Sequence, residues 1–135
     1  MKRRDLRIAD VMTTALTTIH ASDPVLGAHA EMQVGVIRHL PVVDDRGRLV
    51  GVLSDRDVLR ALGSKRSVRV VDIMSRDLVT ARPDAPAHFA AALMLEYSIS
   101  SVLVVDEAGT LVGVVTMTDY VELARRSLLG LPLER

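Results

Sequence analysis

The stretch Gly51-Val52-Leu53-Ser54-Asp55-Arg56-Asp57 places a short polar segment directly after an apolar run, and it recurs as Gly113-Val114-Val115-Thr116-Met117-Thr118-Asp119. In each copy a glycine permits close approach between a strand and a bound group. A hydroxyl and an aspartate follow at the same spacing, and the carboxylate can accept hydrogen bonds from a diol such as ribose. The alternative is that Ser54 or Asp57 caps the helix at Val58 to Leu62. The second copy favours a ligand site, and capping and binding can coexist.

The recurrence extends along the chain at a constant offset of 62 positions, the separation of Asp57 and Asp119. The same offset relates Asp10 to Asp72, Met12 to Met74, Leu16 to Leu78, Thr18 to Thr80, Pro24 to Pro86, Met32 to Met94, Ile37 to Ile99, Asp44 to Asp106 and Gly47 to Gly109. Two units are too few for a solenoid. We therefore expect two similar units packed face to face about a pseudo-two-fold axis.

Each unit is predicted to contain strand, helix, strand, strand and helix, which is an α+β fold. The first-unit elements are a strand at Leu16–Ile19, a helix from Ser22-Asp23-Pro24 to about Val34 that Gly35 ends, strands at His39–Val43 and Leu49–Leu53 joined by a turn at Asp44–Gly47, and a helix at Asp57–Leu62. The second-unit elements are a strand at Leu78–Thr80, a helix at Pro86–Tyr97, strands at Ser101–Val105 and Leu111–Val115, and a helix at Asp119–Leu129. Pro41 predicts that its strand lies near a sheet edge.

The repeat sets the domain boundaries. Residues 1–62 are predicted to form the first repeat with an N-terminal arm, 63–68 the linker, 69–129 the second repeat and 130–135 a C-terminal tail. Because the linker is short, the two repeats are expected to pack together as one domain.

Composition excludes several classes of function. The 135 residues have zero formal net charge, 2% aromatic residues and no cysteine. Binding to nucleic acid is disfavoured because both a basic excess and stacking surfaces are lacking, the one basic cluster being Lys2-Arg3-Arg4. Disulfides and thiolate metal sites are excluded. No segment approaches about 18 uninterrupted apolar residues and no signal peptide is evident, so we expect a cytoplasmic protein without a membrane span.

The two repeats resemble a pair of CBS domains, called a Bateman module. The resemblance rests on Val11-Met12-Thr13 and Ile73-Met74-Ser75, on the strand Pro41-Val42-Val43-Asp44, and on the two Gly-to-Asp stretches quoted first. It covers roughly residues 5–126. The family implies regulatory binding of adenine nucleotides or related adenosyl ligands in clefts between the repeats.

The resemblance also assigns roles to individual residues. It implies that Asp57 and Asp119 hold ribose hydroxyls, and that Ser54 and Thr116 meet phosphate. The adenine walls that it implies are formed by Thr17 and Ile37 in the first unit and by Val79 and Ile99 in the second.

The basic residues are distributed unequally between the units. Arg38, His39 and Arg56 of the first unit are replaced by Ser100, Ser101 and Thr118 in the second, and Pro41 by Leu103. Phosphate needs positive charge, so we expect two unequal sites.

Other chemistry has little support. The histidines lack metal-ligand spacing, and although Asp55 and Asp57 could hold Mg²⁺ beside a phosphate, helix capping explains Asp55 equally. Nucleophile–base pairs and a phosphate loop are not evident, so an enzyme is not expected and no cofactor is required. The methionines are expected to fill the core.

We therefore expect a sensor of AMP, ADP, ATP, S-adenosylmethionine or NADH that forms a homodimer and modulates an unidentified protein. The alternative is a structural or interaction protein with vestigial clefts. An enzyme acting on a nucleotide is a weaker third alternative.

Overall fold

The computed structural model describes residues 5–35, 39–63 and 67–133, and in these ranges it contains six helices and six strands. In chain order they are α1 Ile8–Val11, β1 Ile19–His20, α2 Val25–Gly35, β2 His39–Val43, β3 Leu49–Ser54, α3 Asp55–Leu62, α4 Val70–Ile73, β4 Thr80–Ala81, α5 Ala87–Tyr97, β5 Ser101–Val105, β6 Leu111–Thr116 and α6 Met117–Leu128. Two three-stranded sheets with their helices confirm the predicted α+β class and its two repeats. None of the helices in these ranges is both long and apolar enough to cross a membrane.

The two sheets have the same topology and the same register. β1 is parallel to β2 and β2 antiparallel to β3, and β4, β5 and β6 repeat this arrangement. Because β2 is the middle strand of its sheet, the prediction that Pro41 marks an edge is wrong. β1 pairs only with Val42 and Val43 among the described residues. Pro41 thus lies just outside that pairing, where the lack of an N–H interrupts no ladder with β1.

The predicted hairpin turn at Asp44–Gly47 is confirmed. Gly47 has a φ of 78°, a left-handed conformation that favours glycine, and its N–H donates to the carbonyl of Asp44 at 3.0 Å. Oδ1 of Asp44 accepts the N–H groups of Arg46 and Arg48, each at 2.9 Å. The same carboxylate thus fixes the turn that aligns β2 with β3.

Helices α1 and α4 were not predicted. Each is a single turn, which is too short to show a helical period in the sequence. Asp10 and Asp72 define their starts, because Oδ2 of each accepts the backbone N–H three residues earlier, from Arg7 at 2.8 Å and from Arg69 at 3.1 Å. The equivalence of Asp10 and Asp72 at the 62-residue offset reflects this capping.

The chain forms two compact units, and these do not coincide with the sequence repeats. One unit is the contiguous segment Thr17–Leu78, and the other combines the chain up to Leu16 with the chain from Val79 onward. The reason is that α1 packs against α5 and β6, whereas α4 packs against α3 and β3. The first helix of each repeat therefore belongs to the compact unit that contains the sheet of the other repeat.

Each unit has its own aliphatic core. Buried in the contiguous unit are Ile19, Val25, Ala28, Met32, Leu40, Val42, Leu53, Val58, Val70 and Met74. Buried in the other unit are Ile8, Val11, Ala81, Ala87, Ala90, Met94, Val102, Val104 and Val115. Met32, Met74 and Met94 are core residues, as predicted, and Met12 packs against the second core while half-buried.

Candidate functional site

Helices α3 and α6 begin with a hydroxyl N-cap in place of the aspartate start that the sequence predicted. Ser54 has extended backbone angles, and its Oγ accepts the N–H of Asp57 at 3.2 Å. Thr116 does the same for the N–H of Asp119 at 3.3 Å. Both helices therefore begin two residues earlier than predicted, at Asp55 and Met117, and each aspartate is the third residue of its helix. The capping interpretation is confirmed for Ser54 and wrong for Asp57.

The carboxylate of Asp57 is held by the same serine that caps the helix. Ser54 Oγ donates to Oδ2 of Asp57 at 2.8 Å, and the side chain is half-buried. Oδ1 of Asp57 accepts no hydrogen bond from any residue in the described ranges. The arrangement fixes one oxygen and leaves the other able to accept hydrogen bonds from a ligand.

Asp119 is enclosed more completely than Asp57. It is only 7% exposed, and its Oδ2 accepts both the N–H of Thr116 at 2.8 Å and its hydroxyl at 3.1 Å. Thr13 donates its hydroxyl to Oδ1 at 3.4 Å. These bonds explain how a carboxylate is buried in an apolar unit, because buried charges require hydrogen-bond partners. The two equivalent aspartates are therefore not equally accessible.

Gly51 and Gly113 permit the close approach of another segment of the chain. A Cβ at Gly113 would lie 2.6 Å from Sδ of Met12 and 3.1 Å from the carbonyl oxygen of Thr13. A Cβ at Gly51 would lie 2.5 Å from Sδ of Met74. The sequence interpretation of a bound group against these glycines is thus corrected. The methionine segments near the start of each repeat occupy this space.

Backbone hydrogen bonds fasten these segments to the strands that lead into the caps. Thr13 and Val114 exchange N–H to carbonyl bonds of 2.8 and 3.0 Å. Val52 and Ser75 exchange bonds of 2.9 and 2.8 Å in the other unit. Each segment therefore lies two residues along the strand from the capping hydroxyl.

The remaining predicted residues of the contiguous unit that the structure describes are His39, Arg56 and Thr17. His39 is exposed at the start of β2, where its register partner in β3 is Ser54. Arg56 is exposed as the second residue of α3, and Thr17 is exposed just before β1. Ile37 and Arg38 lie outside the described residues.

The corresponding residues of the other unit meet at one end of its sheet. Ser101 pairs in register with Thr116, so the start of β5 lies beside the end of β6. The carbonyl of Ser100 accepts the N–H of Met117 at 2.9 Å, which ties this loop to the first turn of α6. Ser100 is exposed.

Three further predicted residues lie just before β4, just before β5 and in α6. Val79 is half-buried directly before β4, and Ile99 is half-buried against the core. Thr118 is exposed in the first turn of α6. Strand register thus places His39 opposite Ser54 and Ser101 opposite Thr116.

Sequence reasoning missed Thr13 and Tyr120. The signal for Thr13 was its place after Met12, which is repeated by Ser75 after Met74 at the 62-residue offset. Tyr120 takes the position of Val58 in the first repeat, and its hydroxyl donates to the carbonyl of Ala87 at 2.5 Å. Burial, and then the negative charge of Asp119, raise the pKa of Tyr120 to about 12.

Two repeats with matching sheets, caps and aspartates define a tandem α+β module. The family profile of the CBS domain matches the sequence twice, at residues 8–64 and 70–126. The chain therefore belongs to the CBS domain family and carries a tandem pair, which confirms the resemblance seen in the sequence.

Curated relatives match this chain over part of their own length. The homoserine O-acetyltransferase of Methanococcoides burtonii is 39% identical over 112 residues, which are 83% of this chain and 23% of that protein. The chain thus spans about a quarter of the length of the curated relatives it matches.

Solved structures of similar chains contain adenosyl ligands. The CBS domain pair of protein MJ0100, in complex with 5′-methylthioadenosine and S-adenosyl-L-methionine, has a TM-score of 0.76 and 31% identity, covering 92% of this chain and 99% of that one. CBSX2 of Arabidopsis thaliana, solved in complex with AMP, has a TM-score of 0.80 and 29% identity, covering 90% and 98%.

Proposed function

We propose that this chain is a regulatory module that binds adenosyl ligands at two sites, one built on Ser54 and Asp57 and one on Thr116 and Asp119. The observation that carries the proposal is the repeated cap. In both units a hydroxyl at the helix start bonds the backbone and the carboxylate three residues later. The carboxylate is thereby preorganised without help from a ligand.

The chemistry of the cap suits a ribose. A carboxylate only accepts hydrogen bonds, and a ribose diol offers two hydroxyl donors. Hydrogen bonds to an ionised oxygen are also stronger than those between neutral groups. Asp57 offers Oδ1 to such donors. At Asp119 the ligand would share Oδ1 with the hydroxyl of Thr13, so we expect weaker or slower binding there.

The surroundings of the caps support recognition of a base and a phosphate. Val79, directly before β4, and Ile99, two residues before β5, are partly buried apolar residues, and such side chains suit the faces of an adenine ring. The first turns of α3 and α6 carry the partial positive charge of a helix N-terminus, which favours an anion. In the first unit the proposed base contacts remain Thr17 and Ile37.

The ligand class is supported by the adenosyl groups in the MJ0100 and CBSX2 complexes. A regulatory role is supported by the curated relatives, because the segment that matches this chain makes up about a quarter of each longer protein. We further propose that the ligand changes how the module contacts an unidentified protein, and that the module acts as a homodimer. A ligand can shift such an equilibrium only if it binds the two states unequally.

Calorimetric titration with AMP, ADP, ATP, S-adenosylmethionine and NADH tests the proposal. We expect at least one ligand to bind, Asp57→Asn to abolish one site and Asp119→Asn to abolish the other. Matched controls are Asp45→Asn and Glu107→Gln, which remove exposed charges at equivalent positions of the two hairpin turns. Absence of heat and of a melting shift at millimolar ligand, or indifference to both site substitutions, would refute it.

The second candidate is an interaction protein whose ligand sites are vestigial. Large apolar side chains on α5 and α6 favour it: Leu95 is 83% exposed, Val121 63% and Leu128 88%. Such side chains are typical of surfaces that a partner covers. Pull-down of the same partner with and without nucleotide, together with sites that stay empty in crystals grown with nucleotide, would favour this function over sensing.

A further inference from the structure

Residues 6–13, which we call the docked segment, belong to the unit that also contains the chain from Val79 onward. Backbone hydrogen bonds of 2.8 to 3.0 Å join this segment to its unit, from Leu6 to Ala87, Ile8 to Ala85, Ala9 to Pro83 and Thr13 to Val114. Residues 68–75 of the contiguous unit make the equivalent bonds over the same range of lengths, from Val68 to Val25, Val70 to Asp23, Val71 to Ala21 and Ser75 to Val52. The backbone therefore docks the two segments in the same way.

Thr13 adds a side-chain bond between the docked segment and the candidate ligand site. Its hydroxyl donates to Oδ1 of Asp119 at 3.4 Å. The residue at the equivalent position of the contiguous unit is Ser75, whose Oγ accepts the N–H of Asp77 at 3.3 Å. Because residues 68–75 dock with their serine hydroxyl engaged in this way, docking itself does not require the bond that Thr13 makes.

Tyr120 gives the first turn of α6 a second link to the docked segment. It follows Asp119 directly, and its hydroxyl donates to the carbonyl of Ala87, whose N–H donates to the carbonyl of Leu6. The residue at the equivalent position of the first repeat is Val58, which has no hydroxyl. Two adjacent residues of α6 are thus connected to opposite ends of the docked segment.

A ligand that reaches the carboxylate of Asp119 competes with Thr13. The residue is only 7% exposed, its Oδ2 accepts the N–H and the hydroxyl of Thr116, and its Oδ1 accepts the hydroxyl of Thr13. The Thr13 bond is the longest of these three, and hydrogen bonds weaken with distance. It is therefore the one that a ribose hydroxyl replaces, and the docked segment then loses a side-chain link while its backbone bonds remain.

On the basis of the proposed function, we propose that the ligand site on Asp119 is coupled to the docked segment, with Thr13 and Tyr120 as the positioning residues. Ligand bound at this site frees Thr13 and raises the fraction of molecules in which the segment is open. The open state exposes Ile8 and Val11, which are fully buried in the docked state. Exposed apolar side chains of this kind are what a partner protein recognises.

The coupling is a moderate shift of an equilibrium. Loss of one such hydrogen bond changes an equilibrium constant about two- to fivefold. A ligand shifts an equilibrium only by the difference between its affinities for the two states, and the coupling acts equally in both directions. The ligand therefore favours the open segment by the same factor by which loss of the Thr13 bond favours the ligand.

Hydrogen exchange of the Asp57→Asn chain tests the coupling, because in that chain the ligand binds only at Asp119. The probes are AMP and S-adenosylmethionine at saturating concentration. We expect the amides of Ile8 and Thr13 to exchange about two- to fivefold faster with ligand than without it. The equivalent amides of residues 68–75 are the control in the same molecule, and their exchange should not change.

Variants of the two positioning residues separate the two links. In Thr13→Val the docked segment should exchange faster without ligand, ligand should add nothing at residue 13, and calorimetric affinity should rise about two- to fivefold. Thr13→Ser keeps the hydroxyl and should keep the ligand response. Tyr120→Phe should remove the response at Ile8 and leave that at Thr13. Ser75→Ala is the matched control at the equivalent position, and it should change neither exchange of the docked segment nor affinity.

The possible failures can be distinguished. Ligand that binds the Asp57→Asn chain but leaves exchange of the docked segment unchanged, or slows it, would overturn the coupling and leave the proposed function standing. A full ligand response in Thr13→Val would overturn the role of Thr13. Absence of binding of both probes to the Asp57→Asn chain would overturn the proposed site on Asp119 together with the coupling. Melting curves check that each variant is folded, and Thr13→Ser and Ser75→Ala keep the comparison decisive if Thr13→Val is not.

Discussion

Thr13 donates its hydroxyl to Oδ1 of Asp119 at 3.4 Å, although 106 positions separate the two residues. The bond links the first segment of the first repeat to the candidate site of the second. At the equivalent place in the other unit, Ser75 Oγ instead accepts the N–H of Asp77 at 3.3 Å. Among the described residues, the Thr13 hydroxyl therefore reaches the candidate site of Asp119, whereas the Ser75 hydroxyl bonds within its own segment.

Removing the Thr13 hydroxyl should weaken the fold slightly. Thr13→Val keeps the size of the side chain and deletes one donor to a buried carboxylate, and we expect a loss of about 0.5–1 kcal/mol because the bond is long. Urea unfolding measures it, with Thr14→Val at the exposed neighbouring position as the control. A Thr13→Val chain as stable as Thr14→Val would show that the contact contributes nothing.

Substituting either close-packed glycine should destabilise its unit. In Gly113→Ala and Gly51→Ala the new methyl group would overlap Met12 or Met74, and adjacent backbone oxygens prevent full relaxation, so we expect a loss of about 1–3 kcal/mol. The control is Gly27→Ala in the interior of α2, where nothing lies within 4 Å of the new Cβ. That substitution should raise stability by about 0.5–1 kcal/mol. Equal effects at the three glycines in chemical unfolding would contradict the packing.

The phenol of Tyr120 should lose its proton at a higher pH than an ordinary tyrosine, which makes the free energy of unfolding depend on pH. Its pKa of about 12 in the folded chain exceeds the ordinary value of about 10, so the stabilisation is fully present below pH 10 and is lost as pH rises towards 12. Absorbance titration of Tyr97→Phe, whose single tyrosine is Tyr120, measures this directly. Tyr120→Phe removes the hydrogen bond to Ala87 and should cost about 0.5–1.5 kcal/mol near neutral pH. An inflection near pH 10 in the Tyr97→Phe chain would contradict the burial of the phenol.

Asp44 should contribute to stability above its pKa and lose that contribution in acid. Hydrogen bonds from the backbone of Arg48 and Arg46, with the Arg48 side chain, hold the pKa of Asp44 below its ordinary value of about 3.9. Stability is therefore present above about pH 4 and falls as the carboxylate is protonated at lower pH. In Asp44→Asn we expect a shallower loss of stability over this acid range, measured by thermal melts. An acid profile identical to that of the wild type would contradict the role of the turn.

The periodic parts of the fold could be predicted from sequence, and the parts defined by distant partners could not. β5 was predicted with its observed ends, because a continuous apolar run between turn signals identifies its own limits. β1 and β4 were displaced by one to three residues, because each is a two-residue strand whose limits depend on pairing with β2 or β5. Ser54 and Thr116 were recognised as hydroxyl positions, but their capping moved the helix starts two residues earlier.

The candidate site was predicted in composition and only partly in arrangement. The aspartates and hydroxyls were identified because they recur at a fixed offset. What the recurrence concealed is a difference between the copies. The buried carboxylate of Asp119 accepts bonds from Thr13 and Thr116, whereas in the described part of the chain the carboxylate of Asp57 accepts one from Ser54. A repeated motif indicates which positions of the two repeats are equivalent. It does not show that different residues around the two aspartates make one carboxylate less accessible than the other.

The interleaved connectivity has a consequence for synthesis on the ribosome. The contiguous unit can complete its core once Leu78 has emerged, but Ile8 and Val11 are made before β5 and β6 and must wait for them. Contacts between such distant parts of a chain form slowly, and apolar side chains that wait exposed favour aggregation. The segment that holds Ile8 and Val11 thus reaches its native partners only after β6 has been made, and this interval sets how long its apolar side chains stay exposed.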